Sequence, residues 1–283
     1  MNKKILIRIV AFSLSACALF YPISIRSDAL SVNAGAAVLI DSANGNILYE
    51  KNAHASLPMA STTKIMTALV ALEYLEPDEK ITVSADAVGI EGTSACLDAG
   101  EIYTLKELLF AMLLQSANDA AAAIAIGVAG SVEGFSVLMN YKARTMGLSG
   151  SSFKNPHGLP DSEHYTTAYE LALISSYAMQ NECIKEITSS KRASITSEQG
   201  KTRYFNNHNK MLSAYEGADG VKTGYTKASG RCLVSSAVRA DVRLIAVTLN
   251  CRDDWSEHKR MLDYGFSLVC SYNRSTKESK QKI

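Results

Sequence analysis

Ser61 and Lys64 stand three residues apart in Ser61-Thr62-Thr63-Lys64, a spacing that brings two side chains to one face of a helix. A serine hydroxyl is a poor nucleophile until a base takes its proton, and a neutral lysine amine can be that base. Desolvation and a second cation nearby both push a lysine toward the neutral form. Lys222, in Lys222-Thr223-Gly224, is the candidate second cation. Between these motifs lies Ser116-Ala117-Asn118. Its hydroxyl could relay a proton to a leaving amine, and its amide could hold a carbonyl. Singly, each motif is an ordinary local feature: a serine at a helix start, Ser and Asn as caps, a lysine guarding a strand edge. In this order and together they describe nucleophilic acyl transfer.

The pattern around each motif supplies the elements to position it. Ser61 opens a run from Thr62 to Leu75 in which Ile65, Met66, Leu69, Val70 and Leu72 recur at helical spacing, and Pro77 ends it. That helix is apolar on more than one side, which predicts burial. Ser116 to Asn118 fall between an apolar segment, Leu105 to Leu114, and a second helix from Asp119 to Val128. At such a break side chains can point into a cleft. Arg231 to Val238 and Val242 to Asn250 are rich in strand formers and flank the turn Arg239-Ala240-Asp241. Residues 218–226, with Lys222, Thr223 and Gly224, then lie on the preceding strand. A glycine at 224 lets a ligand approach the backbone closely.

From about Ala36 to Gly265 the chain resembles the serine D-alanyl-D-alanine carboxypeptidases, the low-molecular-weight penicillin-binding proteins, and most of all their Gram-positive, sporulation-type members. The three motifs recur in that family in this order. The resemblance also covers Ala37-Val38-Leu39-Ile40-Asp41 with Gly45 and Leu48-Tyr49, Asn155-Pro156-His157-Gly158-Leu159, Tyr165-Thr166-Thr167-Ala168-Tyr169 and Asp219-Gly220-Val221. It implies that Ser61 is acylated and that Lys64 is its base. Ser116 and Asn118 would assist proton transfer and hold the peptide. Lys222 and Thr223 would bind a terminal carboxylate beside Gly224, and the backbone N–H groups of Ser61 and Tyr225 would form an oxyanion hole. The substrate implied is the D-Ala-D-Ala end of a peptidoglycan stem peptide, with β-lactams as covalent inhibitors and no cofactor. An arginine that helps grip the carboxylate has no fixed place in the sequence; Arg252 is the candidate.

The fold implied is α+β: an antiparallel sheet from the N-terminal hairpin and C-terminal strands, flanked by helices, with a mainly helical insertion at about 80–200. The catalytic domain is expected over 35–272, with a short basic tail at 273–283. Relatives of this kind continue into a C-terminal β-rich domain and an amphipathic membrane helix. The sequence stops about 18 residues after Gly265, so neither is expected here. Membrane attachment is then expected only through the N-terminus.

That N-terminus, residues 1–34, reads as an export signal or membrane segment: Lys3-Lys4 precedes a mostly apolar stretch from Ile5 to Ile25. Cleavage after Ala29, cleavage after Ala34, lipidation at Cys17 and an uncleaved anchor are all compatible with it, and all place the folded part outside the cytoplasm. With 47% apolar and 20% charged residues the composition is that of a globular protein. A formal net charge of +1 offers no footprint for nucleic acid. Six scattered cysteines make no disulfide framework; Cys232 and Cys251 read as free buried thiols at offset register. Five histidines lack any metal-ligand spacing, and the expected metal content is none.

Two other readings share the motifs. A β-lactamase would need a glutamate in an E-x-x-x-N loop to direct a deacylating water. Glu163 and Glu170 lie in the right region, but four residues on stand Thr167 and Ile174. A catalytically idle module that binds peptidoglycan or senses β-lactams would leave a complete set of reactive residues without a task.

Overall fold

Nine strands and eight helices build the described part of the computed structural model, which covers residues 30–280. Residues 1–29, most of the segment expected to be an export signal or membrane segment, lie outside it. The strands are β1 Ala36–Asp41, β2 Ile47–Lys51, β3 Lys80–Thr82, β4 Ile102–Thr104, β5 Arg192–Thr196, β6 Thr202–Asn206, β7 Ala218–Thr226, β8 Gly230–Arg239 and β9 Val242–Leu249. The helices are α1 Lys64–Tyr74, α2 Leu105–Leu114, α3 Asn118–Ala129, α4 Val132–Thr145, α5 Ala168–Ala178, α6 Glu182–Ser189, α7 Met211–Ala214 and α8 Asp254–Lys280.

The main sheet has the order β2-β1-β9-β8-β7, antiparallel throughout. The N-terminal hairpin thus joins the C-terminal strands, and β7 is left as an edge. Both faces are covered, which is why β1 reads as a continuous apolar run rather than an alternating one. Val38 and Ile40 pack with Ile65 and Met66 of α1 in the main core. On the other face α8 approaches closely at Gly265, where a Cβ would meet Leu39 and Leu244 at 2.6 and 2.7 Å.

The insertion between α1 and β7 is less purely helical than expected. It holds two further antiparallel pairs, β3–β4 and β5–β6, the second running to Asn206. These strands are only three to five residues long, too short for period-2 alternation to stand out between helices. The basic segment after Tyr272 is also not a separate tail: α8 continues through Lys280. Cys232 and Cys251 are buried free thiols. The register Leu233↔Thr248 sets Cys232 beside Leu249, short of Cys251.

His258 ties α8 to the sheet. Its two ring nitrogens lie 2.9 Å from Thr248 Oγ1 and 2.9 Å from Ser235 Oγ. Burial lowers its pKa to about 3, and burial likewise lowers His157 to about 3 and His164 to about 4. A free histidine titrates near 6.5, so between that pH and about 4 the unfolded chain binds protons that the folded one refuses. Stability is therefore full above about 6.5 and is lost as pH falls through this window. Thermal melts from pH 7 to 4 should show a falling Tm. His258→Gln should flatten that slope by about one proton's worth, whatever it does to Tm at pH 7. An unchanged slope would mean that His258 does not contribute.

Candidate active site

Ser61 sits in a short 3-10 turn, Ala60–Thr63, that leads directly into α1. Ala60, just before it, has left-handed backbone at φ +48, and so has Ser116 at φ +66. Such conformations cost about 1 kcal/mol or more for a residue with a side chain, and they persist where the surroundings impose them. Here the surroundings are visible. Thr63 Oγ1 donates to the Ala60 carbonyl at 2.8 Å and lies 2.8 Å from His164 Nε2. His164 Nδ1 accepts from the Lys154 amide at 3.0 Å, so the ring's proton is on Nε2, facing Thr63. This chain of contacts clamps the nucleophile's turn to the segment 154–164.

Lys64 is fully buried, and three oxygens surround its amine: Ser61 Oγ at 2.9 Å, Asn118 Oδ1 at 2.7 Å and the His157 carbonyl at 2.7 Å. The last two can only accept. In the neutral amine they take both hydrogens, and the lone pair is left facing the Ser61 hydroxyl. Burial lowers the Lys64 pKa well below its ordinary value, and the charge of Lys222 lowers it further against an opposing contribution from Asp119. Lys222 is buried as well, and burial brings it down to about 7. Two buried cations so close disfavour each other, and Lys64 is the one that gives up its proton.

Asn118 departs from the role expected of it. Besides holding Lys64, its amide donates to the Glu91 carbonyl at 2.6 Å. It is first a tether for the base, with one N–H left over for a ligand. Ser116 occupies the break between α2 and α3 and lines a cavity of about 540 Å³ with Ser61, Thr223, Gly224 and Tyr225. Asp119 secures the facing loop by accepting from the amides of Ala95 and Leu97 at 2.9 and 3.1 Å.

β7 supplies the other wall. The Cys251 amide donates to the Arg231 carbonyl at 2.9 Å, so Arg231 turns its backbone toward the β9 side. Tyr225, opposite Arg231 in the register, is then a non-hydrogen-bonded partner. Its N–H points to the free edge of the sheet. That edge faces the Ser61 turn: a Cβ on Gly224 would lie 3.1 Å from Ser61 N. The Ser61 amide is itself an unpaired first-turn donor. The two N–H groups expected to stabilise an oxyanion are thus both available. Gly158 is the more stringent glycine, because a Cβ there would fall 2.0 Å from the Ala60 carbonyl.

Arg252 is exposed and does not line the cavity. Arg231 does line it, and its Nε donates to Asp254 Oδ2 at 3.1 Å. It lies one strand away from Thr223 rather than after the last strand, and no motif marked it. Neither candidate glutamate lines the cavity that contains Ser61. Glu163 is exposed and paired with Lys154 at 2.8 Å, while Glu170 accepts from the Gly150 amide at 2.7 Å and from Ser151 Oγ at 2.5 Å. Among the described residues no group of three or more His, Cys, Asp or Glu is placed to hold a metal ion.

A half-buried serine backed by a buried lysine at the edge of an antiparallel sheet defines a serine acyl-transfer enzyme. The comparisons agree: the D-alanyl-D-alanine carboxypeptidase family matches residues 24–253, and the chain belongs to that family. The carboxypeptidase DacF of Bacillus subtilis is 35% identical over 269 residues, covering 91% of this chain and 69% of its own. The carboxypeptidase DacC of Escherichia coli is 36% identical over 253 residues, covering 84% of this chain and 62% of its own. The crystal structure of the Streptomyces K15 DD-transpeptidase superposes with a TM-score of 0.78 at 30% identity, over 84% of this chain and 98% of that one.

Two outcomes test the geometry. Lys64→Arg keeps a cation that cannot deprotonate, so acylation of Ser61 by penicillin should fall by roughly two to four decades; a loss of only a few-fold would move the base elsewhere. Arg231→Gln should weaken kcat/KM on a peptide with a free C-terminal carboxylate by about ten-fold, and spare the corresponding amide. Equal losses on both would leave Arg231 a purely structural partner of Asp254.

Proposed function

We propose that this protein removes the terminal D-alanine from peptidoglycan stem pentapeptides through an acyl-enzyme on Ser61. The observation that carries the reading is the set of three oxygens around Lys64 Nζ, which aims its lone pair at Ser61 Oγ. Lys64 takes the hydroxyl proton as Oγ bonds to the carbonyl carbon of the penultimate D-alanine. The Ser61 and Tyr225 amides receive the oxyanion, the type of contact that supplies much of the catalysis in acyl transfer. Ser116 passes its proton to the departing amine as the C–N bond breaks and receives in return the one held on Lys64, so D-alanine leaves and the lysine is neutral again. Water then adds to the ester carbonyl, its proton going to Lys64, which returns it to Ser61 Oγ as the ester C–O bond breaks and the shortened peptide departs. Lys222, Thr223 and Arg231 hold the substrate's carboxylate, which an internal peptide bond lacks.

β-Lactams present a strained amide to the same atoms and are expected to acylate Ser61. The engaged positions of Glu163 and Glu170 support a long-lived adduct over a β-lactamase. Export is part of the reading. Val32 is buried, and the Asn33 amide donates to Glu257 at 3.1 Å, which favours processing after Ala29 over Ala34.

A labelled penicillin should form a stable adduct on the wild type and none on Ser61→Ala, and a peptide ending in D-Ala-D-Ala should release free D-alanine. Rapid multiple turnover of penicillin without D-alanine release would reverse the assignment in favour of a β-lactamase.

A further inference from the structure

The cavity that contains Ser61 carries an acid that the proposed reaction does not use. Asp254, at the start of α8, lines it and is only 3% exposed. Its two oxygens are divided between two neighbours. Oδ1 accepts from the Trp255 amide at 3.0 Å, and Oδ2 accepts from Arg231 Nε at 3.1 Å. Arg231 is its only ion-pair partner among the described residues. A carboxylate is retained in such burial only where a partner compensates it, and this one stands where a second carboxylate is expected to bind.

The strand register explains why Arg231 is that partner. Tyr225 lies opposite Arg231 and Thr223 opposite Leu233, so Thr223, Tyr225 and Arg231 share one face of the β7–β8 pair. Thr223 and Arg231 are diagonal neighbours on that face, a separation that a long side chain spans. Lys222 is on the opposite face and buried, with its Nζ donating to the Thr223 carbonyl at 3.0 Å. The positive charges that line the cavity are therefore Lys210 and Arg231. Of the two, only Arg231 has its side chain tied to a neighbour among the described residues.

The Arg231 side chain is 45% exposed, and an arginine so placed is free to change rotamer unless something holds it. Its guanidinium has five N–H donors in a rigid fork. Among the described residues only the Nε donor is engaged. A carboxylate fastened there fixes the plane of the fork and leaves the terminal nitrogens open for a second carboxylate.

Resting on the carboxypeptidase reading, we propose that Asp254 is a positioning residue for that reaction: it holds Arg231 by Nε so that the terminal nitrogens stand ready for the substrate's C-terminal carboxylate. One guanidinium is then shared by a resident and an arriving carboxylate. Two opposing effects follow. The charge of Asp254 repels the substrate's carboxylate, while its tether spares the arginine the freedom it would otherwise lose on binding. At a half-exposed arginine the repulsion is screened and small, and the tether prevails. Without Arg231 there is nothing to position, and only the repulsion is left.

The test measures kcat/KM for diacetyl-L-Lys-D-Ala-D-Ala and for its C-terminal amide, with wild type, Asp254→Asn, Arg231→Gln and the double variant. Asparagine keeps an acceptor for the Trp255 amide and suits a helix start, so α8 is preserved. Asp254→Asn should lower kcat/KM on the acid by about three- to ten-fold, through KM, and leave the amide within about two-fold. Charge alone predicts the reverse, because the substitution removes a negative group beside an anion; a gain or no change on the acid would overturn the proposal. Added to Arg231→Gln, the same substitution should change sign and recover about two- to three-fold on the acid. Equal losses with and without Arg231, or equal losses on acid and amide, would make Asp254 a structural residue and overturn the positioning role alone. No D-alanine from the acid with wild-type enzyme, while penicillin still labels Ser61, would instead overturn the carboxypeptidase reading and this proposal with it.

Discussion

A buried amine with three oxygen neighbours and almost no solvent is the constraint around which the rest of this molecule is arranged. A lysine in that position must either be paired with a negative charge or give up its proton. The neighbours of Lys64 Nζ are two carbonyl-type oxygens and a hydroxyl, with no carboxylate among them. Asp119 acts on it only through space, and its own carboxylate is occupied by the amides of the loop it anchors. The chemistry is thus set by what burial forbids. The carbonyl of His157 and the amide of Asn118 make the neutral form comfortable, and the serine hydroxyl is the one group left to share the lone pair.

Each of those oxygens comes from a different part of the chain, which explains the size of the insertion. His157 belongs to the segment that His164 and Thr63 pin to the nucleophile's turn. Asn118 begins α3 and is fixed by the Glu91 carbonyl and by its own amide, which donates to Thr93 at 2.7 Å. The loop around Thr93 and Ala95 is braced in turn by Arg203 on β6, whose guanidinium spans the carboxylate of Glu101 at 2.8 and 3.0 Å and reaches the Ala95 carbonyl at 3.0 Å. Both members of that ion pair are buried, so removing one would leave the other uncompensated. The two small sheets of the insertion therefore serve the site indirectly, by holding the loop that holds the base.

The fold and the catalytic set were largely legible in the sequence because their signals are local. Helix α1 follows from the spacing of Ile65, Met66, Leu69 and Val70, and the β8–β9 hairpin from two β-branched runs around Arg239-Ala240-Asp241. Ser61, Lys64, Ser116, Asn118, Lys222, Thr223 and Gly224 are readable as motifs; Ser61, Ser116, Thr223 and Gly224 line one cavity, Lys64 and Asn118 lie behind Ser61, and Lys222 is buried close enough for its charge to act on Lys64. What was missed depends on tertiary neighbours. Arg231 enters through strand pairing with Tyr225, whereas Arg252, in the expected region, turns to solvent. The sequence shows Asn118 as a residue that could hold a ligand, but not that its oxygen also accepts from Lys64. The strands β3 to β6 carry too few residues to display a period.

The same edge strand explains why the nucleophile and the substrate share one geometry. An unpaired strand edge is a template for another chain, and proteins usually blunt it. Here β7 keeps nine residues, and Thr188 of α6 meets its first part by donating to the Asp219 carbonyl at 3.2 Å. The Ser61 turn presses against it at Gly224, where any side chain would push the two apart. A peptide that pairs with the remaining edge is thereby delivered to the hydroxyl at a fixed register. In the proposed reaction Lys222 and Thr223 would end that pairing at the peptide's carboxylate, and the register would then be set from its C-terminus. Binding by backbone pairing alone would be indifferent to sequence. Selectivity has to arise from the side chains that line the cavity, Thr223, Tyr225 and Arg231 among them.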